Sequence, residues 1–168
     1  MKFWKNLDQH GRVLFIVRAA VIAALYAALT LALYPISFGA VQFRVSEALT
    51  LLPVLMPEAI PGLFVGCLLA NLIGSATVWD VVFGSLATLI AAFMTYATRR
   101  NRIVAAIWPV ACNGVIVGAV LALTAQLPVA LTMGQVALGE VAVVYTVGMA
   151  MLAALNRVPA KYLGTLAR

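Results

Sequence analysis

Long apolar segments, separated by short breaks that contain proline, glycine or charged residues, run through the whole of this chain of 168 residues. Hydrophobic residues make up 65% of the sequence and charged residues only 10%. An ordinary soluble domain has roughly 45–50% hydrophobic and 25% charged residues. A soluble fold of this size buries only about 70% of its chain surface, so it would leave much apolar area in water. The composition also excludes a disordered chain, and the sequence therefore predicts one compact domain within a lipid bilayer.

The apolar segments divide the chain into six predicted spans, since one crossing of a bilayer needs about 20 residues. We therefore predict an all-α integral membrane protein, a bundle of six transmembrane helices with no room for an ATPase or another soluble domain. The membrane domain covers residues 13–157, between a basic N-terminal tail at 1–12 and a C-terminal tail at 158–168. We expect the first apolar segment to be a retained helix rather than a signal peptide. The predicted spans are about Val13–Tyr34, Ala40–Met56, Ala59–Gly74, Val78–Thr98, Ile103–Ala125 and Thr132–Asn156.

The basic residues are concentrated beside the predicted spans, and this pattern predicts the topology. They lie near the N-terminus, in the break at Arg99–Arg102 and in the C-terminal tail, whereas the connections after the first, third and fifth spans carry no Lys or Arg. Basic residues favour the cytoplasmic side, so we predict that both termini are cytoplasmic. A five-span arrangement would place one basic cluster outside. The net charge of +6 does not indicate nucleic-acid binding, because the charges flank spans instead of forming one basic face.

Polar side chains within the predicted spans form a candidate binding site. Charges are costly in the hydrocarbon core and usually mark function, and Arg44, Glu47 and Glu140 lie well inside spans. At a rise of about 1.5 Å per residue, these residues and two asparagines fall in the outer half of the bilayer. We therefore predict a polar pocket that opens to the outside, with aromatic residues that can stack on a flat ligand. The predicted substrate-binding residues are Gln42, Arg44, Glu47, Asn71, Trp79, Asn113, Glu140 and Tyr145.

The same residues allow three other interpretations. Arg44 and Glu47 are three positions apart and can pair along one helix, and the asparagines can bond to neighbouring backbone, which would make the cluster purely structural. Two carboxylates within lipid can instead relay protons in a self-sufficient transporter, although the sequence shows no internal repeat of the kind common in such proteins. A membrane scaffold without a small-molecule ligand is the third alternative.

No pattern in the sequence indicates catalysis or a resident cofactor. A Gly-rich phosphate-binding loop and a Ser/His/Asp set are both absent from it. His10 lies in the basic tail, and Cys67 and Cys112 lie within apolar segments, so the sequence offers no cluster of metal ligands. We therefore predict a protein that is not an enzyme and that needs no cofactor or metal.

Small residues recur at every fourth position of three predicted spans, which places them on one face of each helix. In the third and fifth spans we expect these faces to pack within the bundle, because small residues let two backbones approach closely. The first span carries two adjacent alanine rows, a broader face than one neighbour needs, and we predict that this face docks onto another membrane protein. The two rows are Ala19, Ala23, Ala27 and Ala20, Ala24, Ala28.

Three segments of the sequence carry a resemblance to a known family. They read FGAVQFRVSEALTLLPVLMPEAIPGLFVGCLLANLIG at 38–74, VWDVVFGSLATLIAA at 78–92 and LGEVAVVYTVG at 138–148. These segments resemble the QueT family, the queuosine-precursor substrate-binding subunits of energy-coupling-factor transporters. The resemblance covers about Arg18–Leu155, and its most specific part lies between Gln42 and Asn71.

The resemblance implies a six-helix subunit of the cell membrane that captures a vitamin-like solute outside. Such subunits dock through alanine rows of their first helix onto a transmembrane coupling protein, which carries two ATPases. The implied ligand is a 7-deazaguanine such as queuine or its aminomethyl precursor, and another flat vitamin such as riboflavin or thiamine is the alternative. One carboxylate can accept both adjacent N–H donors of a guanine-like ring, and a second can bind a ligand ammonium. We expect Glu47 and Glu140 to be these two carboxylates.

Overall fold

The computed structural model describes residues 8–39, 42–74 and 77–158, and the regular elements within these ranges are helical. The first seven residues, 40–41, 75–76 and most of the predicted C-terminal tail lie outside the described residues. The elements are α1 Gln9–Ala32, the short α2 Tyr34–Ser37, a 3₁₀ segment Val45–Val54, α3 Ala59–Gly74, α4 Asp80–Ala97, α5 Arg102–Thr124 and α6 Val129–Leu155.

The lengths and surfaces of these helices suit a lipid environment. Within the described residues, α1, α4, α5 and α6 are long and apolar enough to cross a membrane, while the 3₁₀ segment and α3 are apolar but shorter. Many large apolar side chains face outward, and Val78 and Leu123 are 76% and 72% exposed. An apolar surface of this extent is typical of a protein that contacts lipid or a partner. The all-helical membrane fold is thus as predicted, and the six-span count and the cytoplasmic termini stay predictions.

Capping side chains determine where two of the long helices begin. Helix α1 starts at Gln9 and not at the predicted Val13, because Asp8 Oδ1 accepts a hydrogen bond from the Gly11 N–H at 2.8 Å. This contact satisfies a backbone N–H that the first turn of a helix leaves without a partner. Asn101 caps α5 in the same way. The helical part of the chain therefore extends into the segment that the sequence predicts to be a basic tail.

The predicted second span, Ala40–Met56, is not a regular α-helix. Residues 42–44 have no regular structure, and a 3₁₀ helix of 10 residues follows at Val45–Val54. Runs of 3₁₀ helix longer than 3–4 residues are uncommon. Pro53 lies within this run, and its missing N–H cannot take part in an α-helical ladder. Because 3₁₀ helix rises about 2.0 Å per residue, the segment still extends roughly 20 Å.

Glycines on α3 and α5 allow close contacts between helices, which confirms the packing predicted from their spacing. A Cβ atom at Gly62 or Gly66 would lie 2.7 or 2.8 Å from a backbone oxygen of α1, at Ala19 and Ala23 respectively. A Cβ atom at Gly118 would lie 2.7 Å from a Cα atom of α6. Real Cβ atoms do not approach backbone this closely, so these helix pairs require glycine at the contact.

The two alanine rows of α1 face different surroundings. Ala23 is buried where α1 contacts Gly66, and Ala19 and Ala23 of its row, together with Ala20 of the other row, line an apolar groove of about 320 Å³ between α1 and α3. The other row is exposed. We call them the inner alanine row (Ala19, Ala23, Ala27) and the outer alanine row (Ala20, Ala24, Ala28). The contact with α3 occupies much of the inner row, so the freely exposed face is narrower than the two-row face that the sequence predicts.

We expect alanine substitution to have opposite effects at two glycines. Gly66→Ala should lower the free energy of unfolding by about 1–3 kcal/mol, as overpacking does, because its Cβ would lie 2.8 Å from both Ala23 O and Tyr26 Cβ. Gly134→Ala is the matched control, since its Cβ would meet nothing within 4 Å. The control should raise stability by up to about 1 kcal/mol through helix propensity. Thermal unfolding of the two variants in the same detergent measures these changes. If Gly66→Ala were as stable as Gly134→Ala, the close contact between α1 and α3 would be contradicted.

Candidate binding site

Glu47 lies inside the bundle at the third position of the 3₁₀ segment, with only 1% of its surface exposed. The hydroxyl of Tyr26 on α1 donates a hydrogen bond to Oε1 of this carboxylate. Thr30 lies one turn further along α1, and its hydroxyl is 2.6 Å from the hydroxyl of Ser46 in the 3₁₀ segment, with which it shares a hydrogen bond. Two successive turns of α1 therefore bind the beginning of the 3₁₀ segment and fix the position of the carboxylate.

A second carboxylate, Glu140 on α6, is bound by an amide from α5. Asn113 Nδ2 donates to Glu140 Oε1 at 3.0 Å, and both side chains are buried. The Asn113 side chain also lies close enough to Glu47 to influence that carboxylate electrostatically. π-Helical turns, which are frequent at functional sites, begin at or near these residues and cover Asn113–Val117 and Val143–Gly148.

Arg44 supplies a positive charge beside the carboxylates. It stands in an extended conformation immediately before the 3₁₀ segment, is 6% exposed, and interacts electrostatically with Glu47 and Glu140. Its guanidinium carbon lies 5.0 Å from the centre of the Phe38 ring. No salt bridge within 4.0 Å joins the described side chains of Arg44 and Glu47. The pairing along one helix that a purely structural role would use is absent, because the backbone here is extended and 3₁₀ instead of α-helical.

Four residues of the predicted set have a buried polar atom without a hydrogen-bond partner among the described residues. Buried polar groups in proteins are almost always hydrogen-bonded, and leaving one unbonded costs about 1–3 kcal/mol. The group consists of one donor and three acceptors, which can bind a polar ligand. These atoms are Arg44 Nε, Glu47 Oε2, Asn71 Oδ1 and Glu140 Oε2; Ser37 Oγ and Asp80 Oδ1, outside the predicted set, share the property.

Asn71 on α3 is oriented by contacts with its neighbours. Its Nδ2 donates to the backbone oxygen of Asp80 at 3.3 Å and contacts Cys67 Sγ at 3.4 Å. Gly84 leaves the space that the amide needs, since a Cβ there would lie 2.8 Å from Nδ2. Asn71 is thus a buried amide held beside Cys67.

Gln42 is buried and has a left-handed backbone conformation, with φ of 47°. Residues other than glycine rarely adopt positive φ, and those that do concentrate at functional sites. The Gln42 carbonyl accepts a hydrogen bond from the Arg44 N–H at 2.8 Å. This tight turn fixes the backbone from which the arginine side chain extends.

Trp79 and Tyr145 do not join the cluster, although the sequence analysis includes them in the predicted site. Trp79 is 61% exposed and stacks on Phe83, with ring centres 6.0 Å apart. The Tyr145 hydroxyl donates to the backbone oxygen of Ile103 at 3.2 Å, near the start of α5, and Asn113 lies about 15 Å further along that helix. Counting residues along a predicted span gives the approximate depth of a side chain in the membrane, but it does not show toward which side of the helix that side chain points. Trp79 and Tyr145 both point away from the cluster.

Two buried contacts involve residues that the sequence analysis does not single out. The first is Tyr26, whose hydroxyl binds Glu47. Its signal in the sequence is its spacing, because Tyr26 and Thr30 follow Ala23 by three and seven positions and so lie on the same face of α1, toward the bundle interior. The second is the ion pair between Arg18 and the fully buried Glu58, at 3.0 Å.

A bundle of apolar helices that encloses two carboxylates, an arginine and two amides is a membrane protein built around an internal polar site. A sequence profile described as QueT transporter matches residues 16–157. The chain therefore belongs to the QueT transporter family, and the resemblance seen in its sequence is confirmed.

A curated relative gives a more specific comparison. "Queuosine precursor transporter QueT" of Lactococcus lactis subsp. cremoris (strain MG1363) is 42% identical to this chain over 77 residues. The matched part covers 45% of this chain and 45% of the relative, so less than half of the relative's length is compared. No solved structure matches the chain.

Asn113→Leu should destabilise the protein, because it removes the amide that donates to Glu140 and leaves that buried carboxylate oxygen without a donor. We expect the free energy of unfolding to fall by about 1–3 kcal/mol. Adding Glu140→Leu to this variant should restore much of the loss, since replacing both partners by apolar groups can be nearly neutral. Thermal unfolding of the two variants in detergent measures this. If Asn113→Leu were as stable as the wild type, the hydrogen bond between Asn113 and Glu140 would contribute nothing to stability.

Proposed function

We propose that this protein is the substrate-binding subunit of an ATP-driven energy-coupling-factor importer, and that it binds a queuosine precursor of the 7-deazaguanine type from outside the cell. The observation that carries the proposal is the group of unpaired buried polar atoms on Arg44, Glu47, Asn71 and Glu140. Membership of the family supplies the transporter class, and the name of the lactococcal relative supplies the class of ligand. In this role the protein binds its ligand and releases it chemically unchanged.

The proposed ligand presents groups that these atoms can bind. A guanine-like ring offers adjacent N–H donors, which carboxylate oxygens accept, and a carbonyl, to which arginine can donate. Glu47 Oε2, Glu140 Oε2 and Asn71 Oδ1 are acceptors without a partner among the described residues, and Arg44 Nε is the donor. Arg44 offsets only one of the two carboxylates when both are ionised, so the ammonium of an aminomethyl substituent would balance the remaining charge.

Glu140→Gln should weaken ligand binding by about 10-fold or more, because a hydrogen bond to a charged group contributes about 1.5–3 kcal/mol. The experiment titrates 7-aminomethyl-7-deazaguanine, queuine, guanine, riboflavin, thiamine and biotin into the purified subunit in detergent. Glu58→Gln is the control: Glu58 is also a fully buried carboxylate, but its partner is Arg18, two turns of α1 away from Tyr26. It should bind the deazaguanine as the wild type does.

The results distinguish the candidate functions. Tight binding of a deazaguanine alone would support the proposal, and an unchanged dissociation constant in Glu140→Gln would remove this residue from the site. Binding of riboflavin or thiamine instead would keep the transporter class and discard the proposed ligand. Ligand uptake by liposomes that contain only this subunit would favour a self-sufficient, proton-coupled transporter over an ATP-driven importer.

We further propose how the subunit sits in the membrane and with which proteins it acts. Six spans at 13–157 cross the cell membrane, and the tails at 1–12 and 158–168 are cytoplasmic. The proposed partners are a transmembrane coupling protein and two ATPase subunits, which would supply the energy for import. The outer alanine row is the proposed docking face, because exposed small side chains let a helix of a partner approach closely.

Ala24→Trp should abolish co-purification with the coupling protein and leave ligand binding unchanged. The bulky ring would stand on the outer alanine row and prevent a partner helix from approaching. Leu138→Trp is the control, since Leu138 is 68% exposed on α6, and it should co-purify normally. Pull-down from membranes that contain all four subunits measures the effect. If Ala24→Trp co-purified as the control does, docking would have to use another face.

A further inference from the structure

Tyr26 connects α1 to the proposed ligand site. Its side chain is fully buried, and its hydroxyl donates to Oε1 of Glu47. At the other end of the side chain, the Tyr26 Cβ packs so closely on α3 that a Cβ at Gly66 would lie 2.8 Å away. The ring is therefore fixed at both ends. Because a phenol has a single proton to donate, its donor capacity is committed to this one carboxylate.

This hydrogen bond determines which part of the Glu47 carboxylate is presented to a ligand. Oε1 is engaged by Tyr26, whereas Oε2 has no partner among the described residues. The terminal torsion of a glutamate is broad and roughly two-fold, so a carboxylate without such a donor would rotate and exchange its two oxygens. The second carboxylate has the same arrangement: Glu140 Oε1 accepts from Asn113, and Glu140 Oε2 has no described partner.

We propose that Tyr26 is a positioning residue for ligand recognition, because it binds Oε1 of Glu47 and thereby holds Oε2 in the orientation that accepts a hydrogen bond from the ligand. This inference rests on the proposed function and explains how the same site recognises a deazaguanine. Tyr26 itself does not touch the ligand in this proposal. Its hydroxyl also interacts with Arg44, but its effect on the ligand passes through Glu47 in this proposal, and this property can be tested.

A neighbouring contact provides the matched control. Thr30 and Ser46 also connect α1 to the 3₁₀ segment, through hydroxyls 2.6 Å apart, and they lie one turn further along α1 than Tyr26. If the α1 contacts serve only to hold the two elements together, Thr30→Val and Tyr26→Phe should have similar effects. If Tyr26 positions the carboxylate, only Tyr26→Phe should impair ligand binding.

The experiment is a double-mutant cycle on the full-length subunit in detergent, titrated with 7-aminomethyl-7-deazaguanine. Tyr26→Phe should weaken binding about 10-fold, and Thr30→Val should stay within about twofold of the wild type. In a Glu47→Ala background, Tyr26→Phe should have less than a twofold effect, because the hydroxyl then has no carboxylate to orient. Coupling of this size is expected only for residues that act through one another. If Glu47→Ala does not fold, Glu47→Gln replaces it. The loss of affinity caused by Tyr26→Phe must then be at least threefold smaller in the Glu47→Gln background than in the wild type.

Several outcomes would overturn the inference. Wild-type affinity in Tyr26→Phe, equal losses in Tyr26→Phe and Thr30→Val, or an undiminished effect of Tyr26→Phe without Glu47 would each show that Tyr26 has no positioning role. These results leave the proposed function intact, because the wild type still binds the deazaguanine. Failure of the folded wild type to bind any deazaguanine is a different result, and it would overturn the proposed function together with this inference.

Discussion

The two buried carboxylates of the polar cluster, Glu47 and Glu140, impose the constraint on which the arrangement of the other elements depends. A buried charge costs several kcal/mol unless donors and an opposite charge surround it. The donors here come from different helices, since Tyr26 on α1 binds Glu47 and Asn113 on α5 binds Glu140. Arg44 adds a positive charge from the segment before the 3₁₀ helix. These donors reach the carboxylates only when the elements that carry them come together, so the polar residues specify the packing of the bundle as well as its site.

Tyr26 reaches Glu47 only because α1 packs closely against α3. Gly66 allows this close packing, because any side chain at that position would push away Ala23 and Tyr26. The outer face of the same helix carries Ala24, two residues before Tyr26 and therefore about 200° around the helix axis. Helix α1 thus presents one side to the ligand site and the opposite side to the proposed partner. A single helix therefore connects the polar site to the face that we propose for docking.

Hydropathy and the cost of buried charge were enough to predict the all-helical membrane fold and the central polar residues, of which Glu47 and Glu140 do lie within one cluster. These rules fail for aromatic residues, because an aromatic ring in an apolar helix can face lipid, a neighbouring helix or a ligand at similar cost. Trp79 and Tyr145 were therefore included in the predicted site although their rings lie elsewhere. Tyr26 was overlooked for the same reason, since the importance of its hydroxyl depends on a carboxylate 21 positions away in the sequence.

Segments of 3₁₀ and π-helix surround the site. The hydropathy of a sequence cannot predict them, because it reports how apolar the side chains are and not which backbone groups are hydrogen-bonded to each other. Backbone that departs from the α-helix is tolerated in a membrane only where protein groups satisfy it or a cavity adjoins it. The turn at Asp80–Gly84 illustrates this, because the carbonyl of its first residue accepts a hydrogen bond from Asn71 Nδ2. The 3₁₀ segment depends on its neighbours in a similar way, through Tyr26 and Thr30 of α1. A segment held by surrounding side chains and not by its own α-helical ladder can place a glutamate and the arginine before it at an angle that a straight helix would not allow. The 3₁₀ segment carries Glu47 and directly follows Arg44.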